Sequence, residues 1–314
     1  MKIPAAVIGA ALAAAAFLVS PFAARAGAAA KPAHAPLEVR VLGSGGPRAF
    51  GRAGSSFIVL LDGTPRILVD AGPGAFLRIG ELGVDLSRVD IVLLTHLHID
   101  HSSDFPAFLN DRSLTSDGPI TYNIFGPDGA GLFPKTSQFV QSMIGDNGAF
   151  PYQKTFGVRE KFSVYDLAIA LDSPETKIVD EGGLVVEEIA THHGDCPSVG
   201  YRVTYKGHTV VFSGDMDASA LPNLEKLAQG ADLLIFNCAV LDPPDSPEQL
   251  YELHTPPKKI GVAAKQAGVK SLLLSHLAPD VLSSEAAVRK SIGANYAGPV
   301  AFASDKLLAR VGKN

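Results

Sequence analysis

The stretch Leu93–Asp104, LLTHLHIDHSSD, places His96, His98 and His101 together with Asp100 inside six positions of a chain that has 9 histidines in 314 residues. The apolar run DIVLLT ahead of it reads as a strand running into His96. Period-two alternation in an extended segment then sends His96 and His98 to the same side. Two imidazoles so placed hold one cation. Asp100 and His101 are neighbours and cannot follow that alternation, so a turn there aims them at an offset point. A second cation about 3.5 to 4 Å from the first would sit there. Imidazole with an occasional carboxylate is the donor mix that borderline-soft zinc favours. One histidine alone reads more simply as a core or surface residue, but four donors in six positions do not.

Two such pairs cannot close their shells alone, and further donors stand at the ends of other apolar runs. VVEEIATHHGD brings His192 and His193, VVFSGDMD brings Asp215, and SLLLSHLAP brings His276. Strands are expected at LEVRVLG, SFIVLLD, RILVDAG, DIVLLTH, ITYNIFG, LVVEEIATHH, VGYRVTY, HTVVFSGD, DLLIFN, SLLLSH and PVAFAS. Helical periodicity spans Phe76 to Gly83, Asp104 to Leu114, Leu221 to Gln229, Pro257 to Ala267 and Ser284 to Tyr296. The class is α/β. Two patterned halves, roughly 37–180 and 183–314, suit two sheets packed face to face with helices on both outer sides.

In this order the motifs resemble the metallo-β-lactamase superfamily, with H-x-H-x-D-H standing as His96, His98, Asp100 and His101. The resemblance is to the branch holding ribonuclease Z, arylsulfatase and phosphodiesterase-like hydrolases. It runs over about 37–310 through VLGSGGPR, SSFIVLLDG, ILVDAGPG, FGPDG, HHGDCPSVGYRV, FSGD and LLLSHLAP. It implies an αββα four-layer sandwich with metals at one edge of the sheets. Two Zn2+ ions, or Mn2+ in their place, are implied: one on His96, His98 and His193, the other on Asp100, His101 and His276, with Asp215 bridging. His193 is preferred to His192 because it stands eight residues before Tyr201, as in phosphodiesterase-like relatives. His254, 22 positions before His276, matches a histidine that protonates the leaving group or stabilises charge. Asp100 and His254 are therefore the implied catalytic residues. Asp70 in LVDAGPG resembles a turn aspartate that braces the metal loop. Asp104 suits either a support for a metal histidine or a cap for the helix beginning there. Asn237 stands where many relatives carry glutamate or histidine, which puts any supporting role of that position in doubt.

The first residues, MKIPAAVIGAALAAAAFLVSPFAARAGAAA, carry an apolar alanine-rich run and small residues around Arg25, and read as a signal peptide over 1–26. Residues 27–36 read as a flexible lead-in and 37–314 as the hydrolase domain. A periplasmic or secreted protein without a stable membrane anchor is expected. Cleavage removes Lys2 and Arg25 and no acid, so a chain of formal charge -5 becomes more acidic still. Such a surface lacks the broad basic field that grips a phosphate backbone, which argues against a nucleic-acid partner. The segment 136–165 is too short and too weakly basic to be the long tRNA-gripping arm of a ribonuclease Z. It suits either an apolar lid over a small substrate or a helix packed on the sandwich. The two cysteines, Cys196 and Cys238, are too few for a disulfide scaffold, though they are free to pair.

Two such cations lower the pKa of a shared water, so hydrolysis needs no serine or cysteine nucleophile. The expected activity is that of an exported binuclear zinc hydrolase acting on a small ester, a phosphodiester first and an aryl sulfate next. A lactonase or β-lactamase-type hydrolase is the alternative, a metal-retaining binding protein without turnover a third reading, and a homodimer is compatible with each.

Overall fold

The computed structural model describes residues 34–115, 119–153 and 160–312. The signal peptide expected over 1–26 lies outside the described residues, as do residues 27–33 of the lead-in. Among the described residues no helix is long and apolar enough to cross a membrane.

Alternation along the strands decides the layering. In β1 (Leu37–Gly43), Leu37, Val39 and Val41 enter a core between two sheets, while Leu42 faces helices on the other side. β2 (Ser56–Leu61) and β3 (Thr64–Val69) send Val59, Ile67 and Val69 inward and Ile58 and Leu68 outward. The outer face is covered by α1 (Ala75–Leu82), α3 (Phe105–Thr115) and α4 (Thr136–Ile144), with the four-residue α2 (Ile99–Ser102) at the edge. β4 (Ile91–Leu93), β5 (Ile120–Pro127) and β6 (Glu160–Leu167) complete this half.

The second half builds the partner sheet from β7 (Thr176–Glu181), β8 (Leu184–His193), β9 (Cys196–Tyr205), β10 (His208–Phe212), β11 (Leu233–Asn237), β12 (Leu272–Ser275) and β13 (Val300–Phe302). Every residue of β11 and β12 is buried, as central parallel strands covered on both faces require. The helices α5 (Leu221–Leu227), α6 (Pro257–Gln266), α7 (Pro279–Ser283) and α8 (Glu285–Gly293) lie along this half. Leu224, Ile260, Ala264, Val288 and Ile292 bury the outer face of the second sheet. A last strand, β14 (Leu308–Arg310), returns to the first sheet.

The sheets run β14-β1-β2-β3-β4-β5-β6 and β13-β12-β11-β10-β9-β8-β7. The first is antiparallel from β14 to β3 and parallel from β3 to β6, and the second is parallel from β13 to β10 and antiparallel from β10 to β7. The result is the αββα four-layer sandwich expected. Its halves are not closed, because β14 crosses over to pair Glu38 with Arg310 and cover the edge of β1.

β6, β7, β14, α2 and α7 were not expected. β7 is an edge strand with no buried residue, and β14, α2 and α7 are three to five residues long, so none carries a readable period. Within 136–165, α4 packs as a helix: Phe139 and Ile144 are buried, and the Phe139 ring lies 5.7 Å from that of Phe105. Residues 154–159 of that segment lie outside the described residues. Cys196 and Cys238 are free and buried, and burial pushes each thiol up to about 12, so neither is a nucleophile at neutral pH.

Candidate metal centre

The parallel strands β4, β10 and β12 end at one edge of the sandwich, and the turn from β8 to β9 reaches the same edge. Thr95 and His96 follow β4, Asp215 follows β10, His276 follows β12, and His193 ends β8. The strand before the histidine cluster is shorter than the run DIVLLT suggests. It stops at Leu93, and His98 reaches the site as the extended residue ahead of α2, with φ -61° and ψ 151°. One turn of helix, rather than continued strand, then swings Asp100 and His101 inward.

The arrangement is held from below. Tyr201, fully buried between the sheets, donates its hydroxyl to the Leu94 carbonyl at 2.9 Å, two residues before His96. The Val199 N–H donates to the Thr95 carbonyl at 2.9 Å. Gly72 lies flat against α2, where a side chain would bring its first carbon 2.1 Å from the Asp100 carbonyl oxygen.

Two donor groups meet at this edge: His96, His98 and His193 in one, Asp100, His101, Asp215 and His276 in the other. Asp215 stands between them. Its Oδ2 lies 3.2 Å from His276 Nε2, 3.5 Å from His101 Nε2, 3.7 Å from His193 Nε2 and 3.9 Å from His96 Nε2. His193 Nε2 is 3.2 Å from His98 Nδ1, and His276 Nε2 is 3.1 Å from Asp100 Oδ2. His192 points away, donating from Nδ1 to Asp217 at 2.8 Å with its side chain 44% exposed.

The far nitrogens of His96, His101 and His193 are engaged, and this fixes their tautomers. His101 donates from Nδ1 to Asp70 Oδ2 at 2.8 Å, and His193 donates from Nδ1 to the Leu253 carbonyl at 2.7 Å. The Thr95 hydroxyl donates to Asp70 Oδ2 and so accepts from His96 Nδ1 at 3.1 Å. The Nε2 atoms of His96 and His101 are thereby aimed into the pocket, and both are buried without a hydrogen-bond partner. Buried polar atoms left unpaired are costly, and a divalent cation meeting those lone pairs removes the cost. The donor set therefore fits a metal.

Charge balance points the same way. Burial holds His96 well below the ordinary imidazole range. Burial disfavours charge on His101 too, but Asp215 and Asp70 outweigh it and hold its pKa well above that range. Burial alone would raise Asp215, yet His276 and His101 keep it well below the usual carboxylate range. The pocket is built for positive charge at its centre and supplies anionic oxygen to meet it. His254 closes one side, its ring 5.3 Å from that of His193 and 5.5 Å from that of His276. Burial pushes its imidazole down to about 4, and its Nδ1 has no partner.

Sequence reasoning left two residues undervalued. Asn237, whose role stood in doubt, donates from Nδ2 to Asp215 Oδ1 at 2.7 Å and so orients the carboxylate that stands between the two donor groups. Thr95 passed unremarked, though its place beside His96 was the available signal. Asp104 caps a helix, but a different one from the helix it precedes: its carboxylate accepts the Phe76 N–H of α1 at 3.0 Å.

A four-layer sandwich with a divalent-metal pocket of histidines and aspartates at the sheet ends defines a metal-dependent hydrolase of the metallo-β-lactamase fold. Residues 65–277 match the family described as Beta-lactamase superfamily domain. Ribonuclease Z of Mycobacterium avium (strain 104) is 30% identical over 287 residues, covering 86% of this chain and 96% of that one. Ribonuclease Z of Mycobacterium marinum (strain ATCC BAA-535 / M) is 26% identical over 288 residues, with the same coverage. Among solved structures, human tRNase Z, short form, superposes with a TM-score of 0.67 at 22% identity, covering 88% of this chain and all of that one. The metallo-beta-lactamase fold protein YhfI from Bacillus subtilis gives 0.64 at 24% identity, covering 87% and 99%. The chain belongs to the beta-lactamase superfamily, in its ribonuclease Z-like branch.

These relatives overturn two expectations. A hydrolase of small esters, whether phosphodiesters or aryl sulfates, was expected, and a nucleic-acid partner was excluded. Relatives that align over 86% of the chain are ribonucleases Z, which acts against both. The physical reason is that net charge sums the whole surface, whereas a scissile phosphate meets the field of the metal pocket. The overall acidity therefore does not decide what enters that pocket.

Proposed function

We propose that the protein is a metal-dependent ribonuclease that hydrolyses a phosphodiester bond of RNA. The observation that carries this reading is the joint presence of a complete seven-donor pocket and 30% identity, across nearly the full length of the relative, to a ribonuclease Z. In this reading one cation would be held by His96, His98 and His193 and the other by Asp100, His101 and His276, with Asp215 within reach of both. Imidazole-rich sets with carboxylate suit zinc, and manganese is the alternative. When bound, such a pair supplies Lewis acidity toward a phosphoryl oxygen and lowers the pKa of water.

The chain's own groups do the rest. Asp100 sits in the second donor group, where its carboxylate accepts a hydrogen bond from the attacking water and so orients it. His254, kept neutral by burial and closing one side of the pocket, donates a hydrogen bond through its ring N–H to the departing or non-bridging oxygen. The Asp70–Thr95 pair and Asn237 fix the directions of the imidazoles and of Asp215, so that little reorganisation accompanies reaction.

The direct test is cleavage of end-labelled RNA, including a tRNA carrying a 3′ extension, by purified protein with added zinc or manganese and with chelator. Chelator-sensitive cleavage of RNA but not of the same DNA sequence is expected. Failure to cut any RNA with metal bound would overturn the reading. Location is a separate proposal, resting on residues 1–26 alone: a periplasmic or secreted protein would begin at Gly27, which the intact mass of the protein from cells decides.

A further inference from the structure

A cavity of about 480 Å3 opens beside the metal pocket, with Gly46, Arg48, Phe50, Leu250, His254 and His276 among its walls. Its volume lies within the range of pockets that hold a small organic ligand. The loop that forms its outer wall is anchored at both ends. Ser44 donates through N–H and hydroxyl to Asp305 Oδ1, at 3.1 and 2.8 Å. Arg52 donates to Ser44 Oγ at 2.7 Å and to the Ala303 carbonyl at 2.8 Å. Gly46 lies against the ring of His276, where a side-chain carbon would come within 2.6 Å of Cε1. Between these anchors the tip projects, with the Arg48 guanidinium 4.5 Å from the centre of the Phe50 ring and Phe50 47% exposed.

An exposed phenylalanine is poorly placed for the core, and here it shares a wall with two residues of the reaction pocket. Arginine planes and aromatic faces are the two side-chain surfaces on which unpaired RNA bases stack. Leu250 gives an apolar floor, and Arg48 adds a positive charge for an adjoining phosphate. We infer that this cavity is a nucleoside subsite that takes the base of an unpaired nucleotide next to the scissile phosphate, stacked on the Phe50–Arg48 shelf. The inference rests on the ribonuclease reading, and the test separates the two.

Full-length, metal-loaded protein is titrated with 2-aminopurine riboside 5′-monophosphate, whose fluorescence is quenched on stacking. Quenching is expected, with Kd raised about tenfold or more in Phe50→Ala, raised also in Arg48→Gln, and restored in Phe50→Trp. An unchanged Kd in Phe50→Ala, or a Phe50→Trp protein as weak as Phe50→Ala, overturns the subsite. Tight binding by a protein that cuts no RNA would keep the subsite and sink the ribonuclease reading. RNA cleavage with a Kd indifferent to Phe50 would do the reverse.

Discussion

Asp70 Oδ2 accepts His101 Nδ1–H at 2.8 Å while Asp70 Oδ1 accepts the Thr95 N–H at 2.7 Å, so one carboxylate sets both the ring of a donor histidine and the backbone beside another. Asp70 sits at φ 53°, a left-handed conformation that asparagine also tolerates. Asp70→Asn is therefore expected to fold while weakening metal affinity about 10- to 100-fold, since the amide is a poorer acceptor for the imidazole N–H. Competition with a chelator of known affinity measures this. Wild-type affinity in the variant would remove Asp70 from the account.

His192 and His193 are adjacent, and strand alternation separates them. His193→Ala is expected to lose bound metal and activity together, while His192→Ala breaks only a partly exposed bond to Asp217 and keeps both. Metal content by mass spectrometry beside cleavage rate decides it. Metal loss in His192→Ala alone would reverse the assignment.

His254 stands close enough to His193 and Asp215 to form a third donor group. A ligand and a hydrogen-bonding group that meets the substrate differ in what their removal does. If His254 acts on the substrate, His254→Ala keeps its metal and loses roughly 10²- to 10³-fold in kcat. Loss of metal in parallel with activity would make His254 a ligand instead.

What could be read from the sequence follows the length of each signal. LEVRVLG and LVVEEIATHH coincide with β1 and β8 because long alternating or fully apolar runs carry their own period. HLHIDH declares itself because donors crowd within one turn. The supports do not. Asn237 and the Leu253 carbonyl reach the site through contacts between residues 22 and 60 positions apart, the second through a backbone atom, and neither leaves a local pattern. The substrate was misjudged for a related reason: overall acidity is a property of the whole chain, and the pocket is not.

Glu188 lies on β8 opposite Tyr201, 3% exposed in the core between the sheets, and its Oε2 has no partner. Burial pushes its carboxyl up to about 7, with the charge of Glu175 adding to the rise. In the unfolded chain the group ionises near 4.5. Between those two values the unfolded state releases a proton that the folded state retains, so stability falls as pH rises from about 4.5 to about 7 and levels off above. Glu188→Gln keeps the shape and removes the titration. Melting of metal-loaded protein at pH 5 and pH 8 should show the variant gaining on the wild type at the higher pH, by roughly 2 to 4 °C for each kcal/mol recovered. Protonation of the metal ligands shifts both proteins alike, so the difference between them isolates Glu188. An equal change in Tm for both proteins would mean that Glu188 is ionised in the fold and solvated by a route its burial does not suggest.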